Sequence, residues 1–338
     1  MIRVAVIGAG HWGPNLIRNF HNRERSEVAW VIDRDANRLA QVRSRFADVQ
    51  TGADAEPALA DPAVDAVVVA TPARTHHGLA KAALERGKHV LVEKPIATSV
   101  DHGVELCALA EGVGRVLAVG HVFLYNPGVQ RVKRYLENGD LGRVYYVSMV
   151  RTNLGPIRTD VDAAWDLASH DVAIVNYWLD AEPIAVSAIG GTWINDGIAD
   201  AVFATFRYRG NVFVNLHVSW LNPRKSRDIT VVGERRMLTF DDMNLAEPVR
   251  VYDKQVTDDR TPGYVDSFAS FRASVREGDI TIPRVALGEP LKAECEDFLD
   301  CVERGTAPRS GGREGLAVVR ALDALQRSAR HHGREEPL

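Results

Sequence analysis

Gly87-Lys88-His89-Val90-Leu91-Val92-Glu93-Lys94-Pro95 places a glutamate, a lysine and a proline at the end of an apolar run. In an open parallel sheet, ligands bind at the carboxyl ends of the strands. A lysine there works in proton transfer once burial or neighbours lower its pKa. Pro95 constrains the turn and biases Lys94 toward extended backbone. Only seven of the 41 basic residues are lysine, so an amine kept at position 94 in an arginine-rich chain adds slight support for a titratable group. A second strand end carries Ala70-Thr71-Pro72, with His76 four residues beyond Pro72. A third carries Gly8-Ala9-Gly10-His11-Trp12-Gly13, a G-x-G-x-x-G pattern between an apolar strand and a helix. Gly8 permits the tight turn, Gly10 lets the backbone approach a pyrophosphate, and Gly13 lets the helix pack on the sheet. The helix N-terminus then offers free N–H groups to the phosphates. Asp33, twenty residues after Gly13, ends the next strand; a carboxylate there accepts from the adenosine ribose and repels a 2′-phosphate. That selects NAD over NADP, with neighbouring Arg34 as the feature that would accommodate the phosphate. The candidate cofactor residues are therefore Gly8, Gly10, His11, Trp12, Gly13, Asp33 and Arg34.

The elements that must hold these residues follow from apolar patterning. Strand runs are Arg3–Ile7, Val28–Ile32, Ala66–Ala70, His89–Val92 and Val116–Val119. Helical patterns lie between them at Trp12–Asn22, Ala36–Phe46, His77–Arg86 and Val100–Glu111. Such alternation predicts βαβ units and a doubly wound parallel sheet, a Rossmann domain over 1–120. After His121 the pattern changes to a helix at Pro127–Glu137, a strand at Val144–Val150 and a helix near Ser169–Leu179. Runs at Ile184–Ile189, Ala201–Tyr208, Val212–Ser219, Arg227–Val232 and Arg236–Phe240 follow without helices between them. They predict an open, mainly antiparallel sheet in a C-terminal α+β domain over 121–338. Helices are expected at Asp266–Arg276, Leu291–Glu303 and Glu314–Ala329, and the tail from His331 is polar.

Bulk properties narrow the function. A length of 338 residues suits two domains. Net charge of -4, with no basic patch interleaved with aromatics, speaks against nucleic acid as a partner. Three cysteines, none in a C-x-x-C pair, do not make a disulfide framework. No apolar run reaches the ~20 residues of a membrane span, and Met1 leads directly into a strand rather than a signal peptide. The expectation is a cytoplasmic protein with no membrane partner.

Taken together, Gly8-x-Gly10-x-x-Gly13, Thr71-Pro72-x-x-x-His76 and Glu93-Lys94-Pro95 resemble the glucose–fructose oxidoreductase / inositol dehydrogenase (Gfo/Idh/MocA) family. The resemblance covers nearly the whole chain and is most specific in residues 1–125. It implies a dehydrogenase of a sugar carbinol, with NAD on the Rossmann domain. Glu93 and Thr71 would face the nicotinamide end, with Pro72, His76 and His121 among the cofactor contacts, and Lys94 would face the reacting oxygen. It also implies a second domain whose open sheet mediates a homodimer or homotetramer. The family's D-x-x-x-H element is matched by Asp166-Leu167-Ala168-Ser169-His170. On a helix that spacing puts both side chains on one face, ~6 Å apart, where the histidine can take the hydroxyl proton. Many relatives carry an aspartate three residues after the histidine; here that position is Ala173, and no metal site is read. Asp166 also suits a helix N-cap, and His170 alone would suit a packed core histidine. The base is Lys94 or His170.

On the substrate side, His121 through Tyr125-Asn126-Pro127, Asn153-Leu154-Gly155, Trp165-Asp166-Leu167 and Ser219-Trp220-Leu221 are similar to bacterial nucleotide-sugar 3-dehydrogenases. Those enzymes oxidise C3 of UDP-linked N-acetyl sugars on the way to amino sugars. The same branch looks close to enzymes of aminoglycoside antibiotic biosynthesis. The candidate substrate residues are Lys94, Tyr125, Asn126, Arg151, Asn153, Asp166 and His170. Arg151, Arg158, Arg224, Lys225 and Arg227 offer charge for a pyrophosphate, or are solvated loop cations. Trp165, Trp193 and Trp220 suit sugar stacking or sheet core. An unlinked aminoglycoside sugar, inositol or polyol is the alternative substrate, and a non-catalytic NAD-binding regulator the alternative of another class.

Overall fold

The computed structural model describes residues 1–21, 24–159, 161–256, 275–276 and 278–338. The chain divides into two compact units, 1–126 with 288–323, and 127–287 with 324–338.

In the first unit, β1 (Ile2–Ile7), β2 (Ser26–Ile32), β3 (Gln50–Gly52), β4 (Ala66–Val69), β5 (His89–Glu93) and β6 (Leu117–Gly120) pair in parallel. Their order is β3-β2-β1-β4-β5-β6, the doubly wound dinucleotide-binding order. β1 and β4 are apolar and buried almost throughout, as strands covered on both faces must be. Helices α1 (Gly13–His21), α2 (Ala36–Arg45), α3 (Glu56–Ala60), α4 (His76–Glu85) and α5 (Val100–Gly112) fill the crossovers. Local chemistry starts two of them. The Asp35 carboxylate accepts from the N–H groups of Asn37 and Arg38, and Ser99 Oγ accepts from His102 N–H.

The domain boundary differs from the expected break at 120, which left everything after it in the second domain. Residues 288–323 pack with the first unit. The cause is the apolar stripe of a late helix, Pro290–Arg304, which becomes α8 once α6 (Pro127–Glu137) and α7 (Ser169–Leu179) are counted. Leu291, Cys295, Phe298 and Leu299 recur at helical spacing and are buried in one core with Val4, Leu16 and Phe20. Phe298 meets Phe20 edge-to-face at 6.2 Å. After α8, Gly311 bridges Ala118 of β6, and α9 (Gly312–Arg330) begins.

The second unit holds a nine-stranded mixed sheet. It contains β7 (Val144–Leu154), β8 (Ala185–Gly191), β9 (Ala201–Tyr208), β10 (Val212–Ser219), β11 (Leu221–Gly233), β12 (Met237–Asp241), β13 (Val249–Tyr252), β16 (Ile280–Thr281) and β17 (Glu336–Pro337). Every pairing is antiparallel except that of β10 with β7. β13, β16 and β17 were not anticipated from the sequence; the last two are two residues each, below the reach of periodicity. Trp220, Tyr208, Phe206 and Phe240 are buried in its core. The helix expected at Asp266–Arg276 lies outside the described residues except Val275–Arg276, which form β15 against β14 (Gln255–Val256).

Candidate active site

The first unit gathers its chemistry at the carboxyl ends of its strands. Gly8 closes β1 at φ 106°, and a Cβ there would lie 2.4 Å from the Ala70 carbonyl oxygen, so only glycine fits between β1 and β4. A Cβ on Gly13 would meet the Gly8 carbonyl at 2.1 Å. The first turn of α1 carries no acidic side chain, and its terminal N–H groups and dipole suit a pyrophosphate. His11 and Trp12 are exposed beside it. Asp33 accepts from Ala9 N–H at 2.7 Å with one oxygen and from Asp35 N–H at 2.8 Å with the other. It thereby fixes the glycine loop, and each oxygen keeps a lone pair for a ribose hydroxyl. Arg34 is exposed. The guanidinium near the loop is that of Arg38, 3.5 Å from Asp33 and 3.3 Å from the Cβ position of Gly10. Its spacing, one helical turn after the capping Asp35, is the signal that would have pointed to it.

Two further strand ends are tied together by His76. One ring nitrogen lies 2.7 Å from the Pro95 carbonyl and the other 2.8 Å from the Thr71 carbonyl, and the side chain is buried. Burial pushes its pKa down, so the neutral ring has one N–H and donates to one of the two carbonyls only. It joins the Thr71-Pro72 turn to the Lys94-Pro95 turn. Thr71 Oγ1 accepts from the Thr75 hydroxyl at 2.7 Å, and Pro72 opens the short turn that follows. Glu93 ends β5 and Lys94 follows it, both half-buried. Burial pushes the Glu93 carboxyl up to about 7, against the opposing pull of the Lys94 ammonium. His121, just past β6, is buried, and neither ring nitrogen has a hydrogen-bond partner among the described residues. Burial, and then the charge of Lys94, pushes its pKa down to about 3, so the imidazole is neutral. Orphaned buried nitrogens beside a lysine, together with the glycine cradle, fit a polar ligand such as the nicotinamide end of NAD. Tyr125, expected to meet substrate, is buried and donates to Asp297 Oδ2 of α8 at 2.8 Å. Asn126 follows it at the end of the same turn.

In the second unit, Asp166 lies in a π-helical turn, Ala164–Ala168, that runs directly into α7. Such turns concentrate at functional sites. The carboxylate accepts from Arg158 at 3.0 Å and from Trp220 Nε1 at 3.3 Å. The helix-start role belongs instead to Asp162, whose side chain accepts from Trp165 N–H at 2.9 Å. His170 stands in the first turn of α7, half-buried. Arg151 corrects another expectation. It lies on the covered face of β7 with Val147 and Met149, buried, and donates from Nε and a terminal nitrogen to Asp171 at 2.9 and 2.7 Å. Burial pushes the Asp171 carboxyl up and the Arg151 charge pulls it back. Arg151 is thus a structural ion pair. Asn153, two residues on, donates to the Gly155 carbonyl. Trp220 is core, as one of the two readings held, whereas Trp193 is exposed.

Residues 2–121 match the oxidoreductase family with an NAD-binding Rossmann fold, and residues 129–239 match the GFO/IDH/MocA C-terminal domain. The chain is 28% identical to UDP-N-acetylglucosamine 3-dehydrogenase of Acidithiobacillus ferrooxidans, over 96% of this chain and 95% of that protein. The solved structure of that enzyme superposes with a TM-score of 0.82 over 98% of each chain. GenD2 from gentamicin A biosynthesis, solved in complex with NAD, is 25% identical with a TM-score of 0.82, over 100% of this chain and 96% of that one. The inositol 2-dehydrogenase of Acidothermus cellulolyticus is 31% identical, but over 56% of this chain and 57% of that protein. Among the described residues, no helix is long and apolar enough to cross a membrane. With the doubly wound sheet, the glycine cradle and the Glu93-Lys94-Pro95 turn in place, the chain is an NAD-dependent oxidoreductase of the Gfo/Idh/MocA family.

Proposed function

We propose that this enzyme oxidises C3 of a nucleotide-linked N-acetyl sugar in amino-sugar biosynthesis. The observation that carries the reading is the near end-to-end similarity to a UDP-N-acetylglucosamine 3-dehydrogenase, over 96% of this chain. Similarity to GenD2 over the whole chain supports an amino-sugar context and keeps an unlinked aminoglycoside sugar as the second reading.

NAD, when bound, supplies the hydride acceptor. Gly8, Gly10, Gly13 and the N-terminus of α1 hold its pyrophosphate, Asp33 its ribose, and Thr71, Glu93 and His121 the nicotinamide end. Lys94 faces the reacting oxygen, where its ammonium stabilises developing alkoxide charge. Asp166 and His170 are assigned to the reaction as the D-x-x-x-H element. The carbinol proton goes to Lys94 or His170, and the reverse reduction uses the same groups.

The open face of the nine-stranded sheet is assigned to self-association. Ile189, Phe203 and His217 are register partners across β8, β9 and β10, Phe203 stacking on His217 at 4.3 Å. Phe213 pairs with Tyr146 further along, and Ile189 and Phe203 are 64% and 55% exposed.

The test is NADH fluorescence with purified protein and NAD, offered UDP-N-acetyl sugars, free amino sugars and aminoglycosides, and inositols. Signal with the nucleotide sugars alone is expected. Signal only with unlinked sugars or inositols contradicts the proposed substrate.

A further inference from the structure

Two arginine–aspartate pairs of the second unit differ in burial. The side chains of Arg151 and Asp171 are 5% and 2% exposed, and their pair belongs to the core. Those of Arg158 and Asp166 are 37% and 20% exposed. An ion pair that open to water adds little to stability, so holding the fold does not account for its geometry. That geometry is nevertheless well defined. Arg158 Nη1 donates to Asp166 Oδ1 at 3.0 Å, and the indole N–H of buried Trp220 donates to Oδ2 at 3.3 Å. A donor at each oxygen fixes the plane of the carboxylate. The segment that carries Arg158 is fastened on both sides to the surroundings of Asp166. Before it, Gly155 N–H donates to the Trp220 carbonyl at 2.9 Å. After it, Asp162 accepts from Trp165 N–H at 2.9 Å and from Gln326 at 2.7 Å, and Ala163 N–H donates to the Ala199 carbonyl at 2.9 Å. Trp220 N–H in turn donates to the carbonyl of buried Asp200 at 2.9 Å, so the backbone that carries the indole is tied on both sides as well.

We propose that Arg158 is a positioning residue of the reaction, acting through Asp166: its guanidinium holds the carboxylate in the orientation in which it works with His170. Asp166 lies in the π-helical turn, and His170 stands four residues on, in the first turn of α7. On a regular helix that spacing alone puts two side chains on one face. The wider π-helical turn changes the angle between them, so the direction of the carboxylate is set by its donors rather than by the helix. Of the two donors Arg158 is the cation, and charge-assisted bonds are the stronger kind. Without it the Oδ1 donor is gone and the carboxylate turns about its Cβ–Cγ bond. Arg158 thereby leaves the cations offered to a pyrophosphate and joins the groups that organise the reacting turn. The inference rests on the assignment of Asp166 and His170 to the reaction.

The test uses the full-length protein, R158A, R158K, D166N and the double variant R158A/D166N, with a melting temperature for each. Initial rates of NADH formation are measured against UDP-N-acetylglucosamine, or against the unlinked sugar that gives the wild type its signal. R158A is expected to lower kcat roughly 10- to 100-fold, the worth of one hydrogen bond to a charged group, with the sugar KM and the melting temperature near wild type. R158K, which keeps the charge but loses the planar fork, is expected to fall between R158A and wild type. Millimolar guanidinium chloride is expected to recover part of the R158A turnover, where the same concentration of sodium chloride does not. Because Arg158 acts through Asp166, R158A is expected to cost nothing further once Asp166 is Asn. Should R158A not fold, R158K alone and combined with D166N reads the same coupling. A raised sugar KM at unchanged kcat overturns the proposal in favour of a substrate ligand. A lowered melting temperature at unchanged kcat and KM overturns it in favour of a structural pair, and losses that add in the double variant overturn the route through Asp166. Wild-type turnover in D166N fails the underlying reading instead, by removing Asp166 from the reaction and the proposal with it.

Discussion

In the first unit the chemistry-bearing side chains stand at strand ends, whereas in the second they stand on a helix and along a long strand. Strand ends are fixed by backbone topology. Gly8, Thr71, Glu93 and His121 end or follow β1, β4, β5 and β6, so motif and strand pattern together locate them. In the second unit, position on a face decides what a residue meets. Arg151 looks like a phosphate ligand by type, yet the alternation of β7 turns it inward onto Asp171. The comparison teaches that a motif at a strand end predicts place, while a cation within a strand must first be assigned to a face.

That contrast can be broken by mutation. Lys94→Ala is expected to lower turnover by roughly 10²–10⁴-fold, the range of one general acid–base group, with NAD affinity near wild type; an unimpaired variant would remove the strand-end argument. Arg151→Ala is expected to destabilise by about 3–5 kcal/mol, because it leaves the buried Asp171 charge uncompensated. Denaturant unfolding measures it, and a raised sugar KM at unchanged stability would return Arg151 to the substrate. Phe298→Ala is expected to cost about 3–5 kcal/mol; a loss confined to the first unit's unfolding would verify where α8 belongs. Asp33→Asn weakens two charge-assisted bonds to the glycine loop and is expected to raise the Kd for NAD about ten-fold, one such bond being worth ~1.5–3 kcal/mol. The smallest effect is on pH dependence. Glu93, raised from 4.5 to about 7 on folding, binds more protons in the folded state across that interval. Its contribution to stability is therefore present at low pH and lost as pH rises from 4.5 to about 7, and the melting temperature should fall correspondingly, less so in E93Q.

Much of the first unit was legible because its period, its turns and its glycines all pointed the same way. What was missed there came from far along the chain. Asp297 and Arg309 reach Tyr125, just past β6, only because α8 returns to the first unit, and periodicity gives a helix its stripe without naming the surface that covers it. The available signal was the stripe itself, Leu291, Cys295, Phe298 and Leu299. That His76 would stand between the carbonyls of Pro95 and Thr71 was not legible, since Pro95 belongs to a different strand end. For Asp166, the four-residue spacing to His170 was read on a regular α-helix, while the π-helical turn and the capping by Asp162 depend on tertiary packing.

The most direct test of the central claim follows the hydrogen itself. UDP-N-acetylglucosamine deuterated at C3 is incubated with the enzyme and NAD, and the reduced cofactor is analysed by mass. The account predicts that the deuterium appears on the nicotinamide and that the sugar carries a C3 ketone. Reduced cofactor without deuterium, with the label still on the sugar, would contradict it.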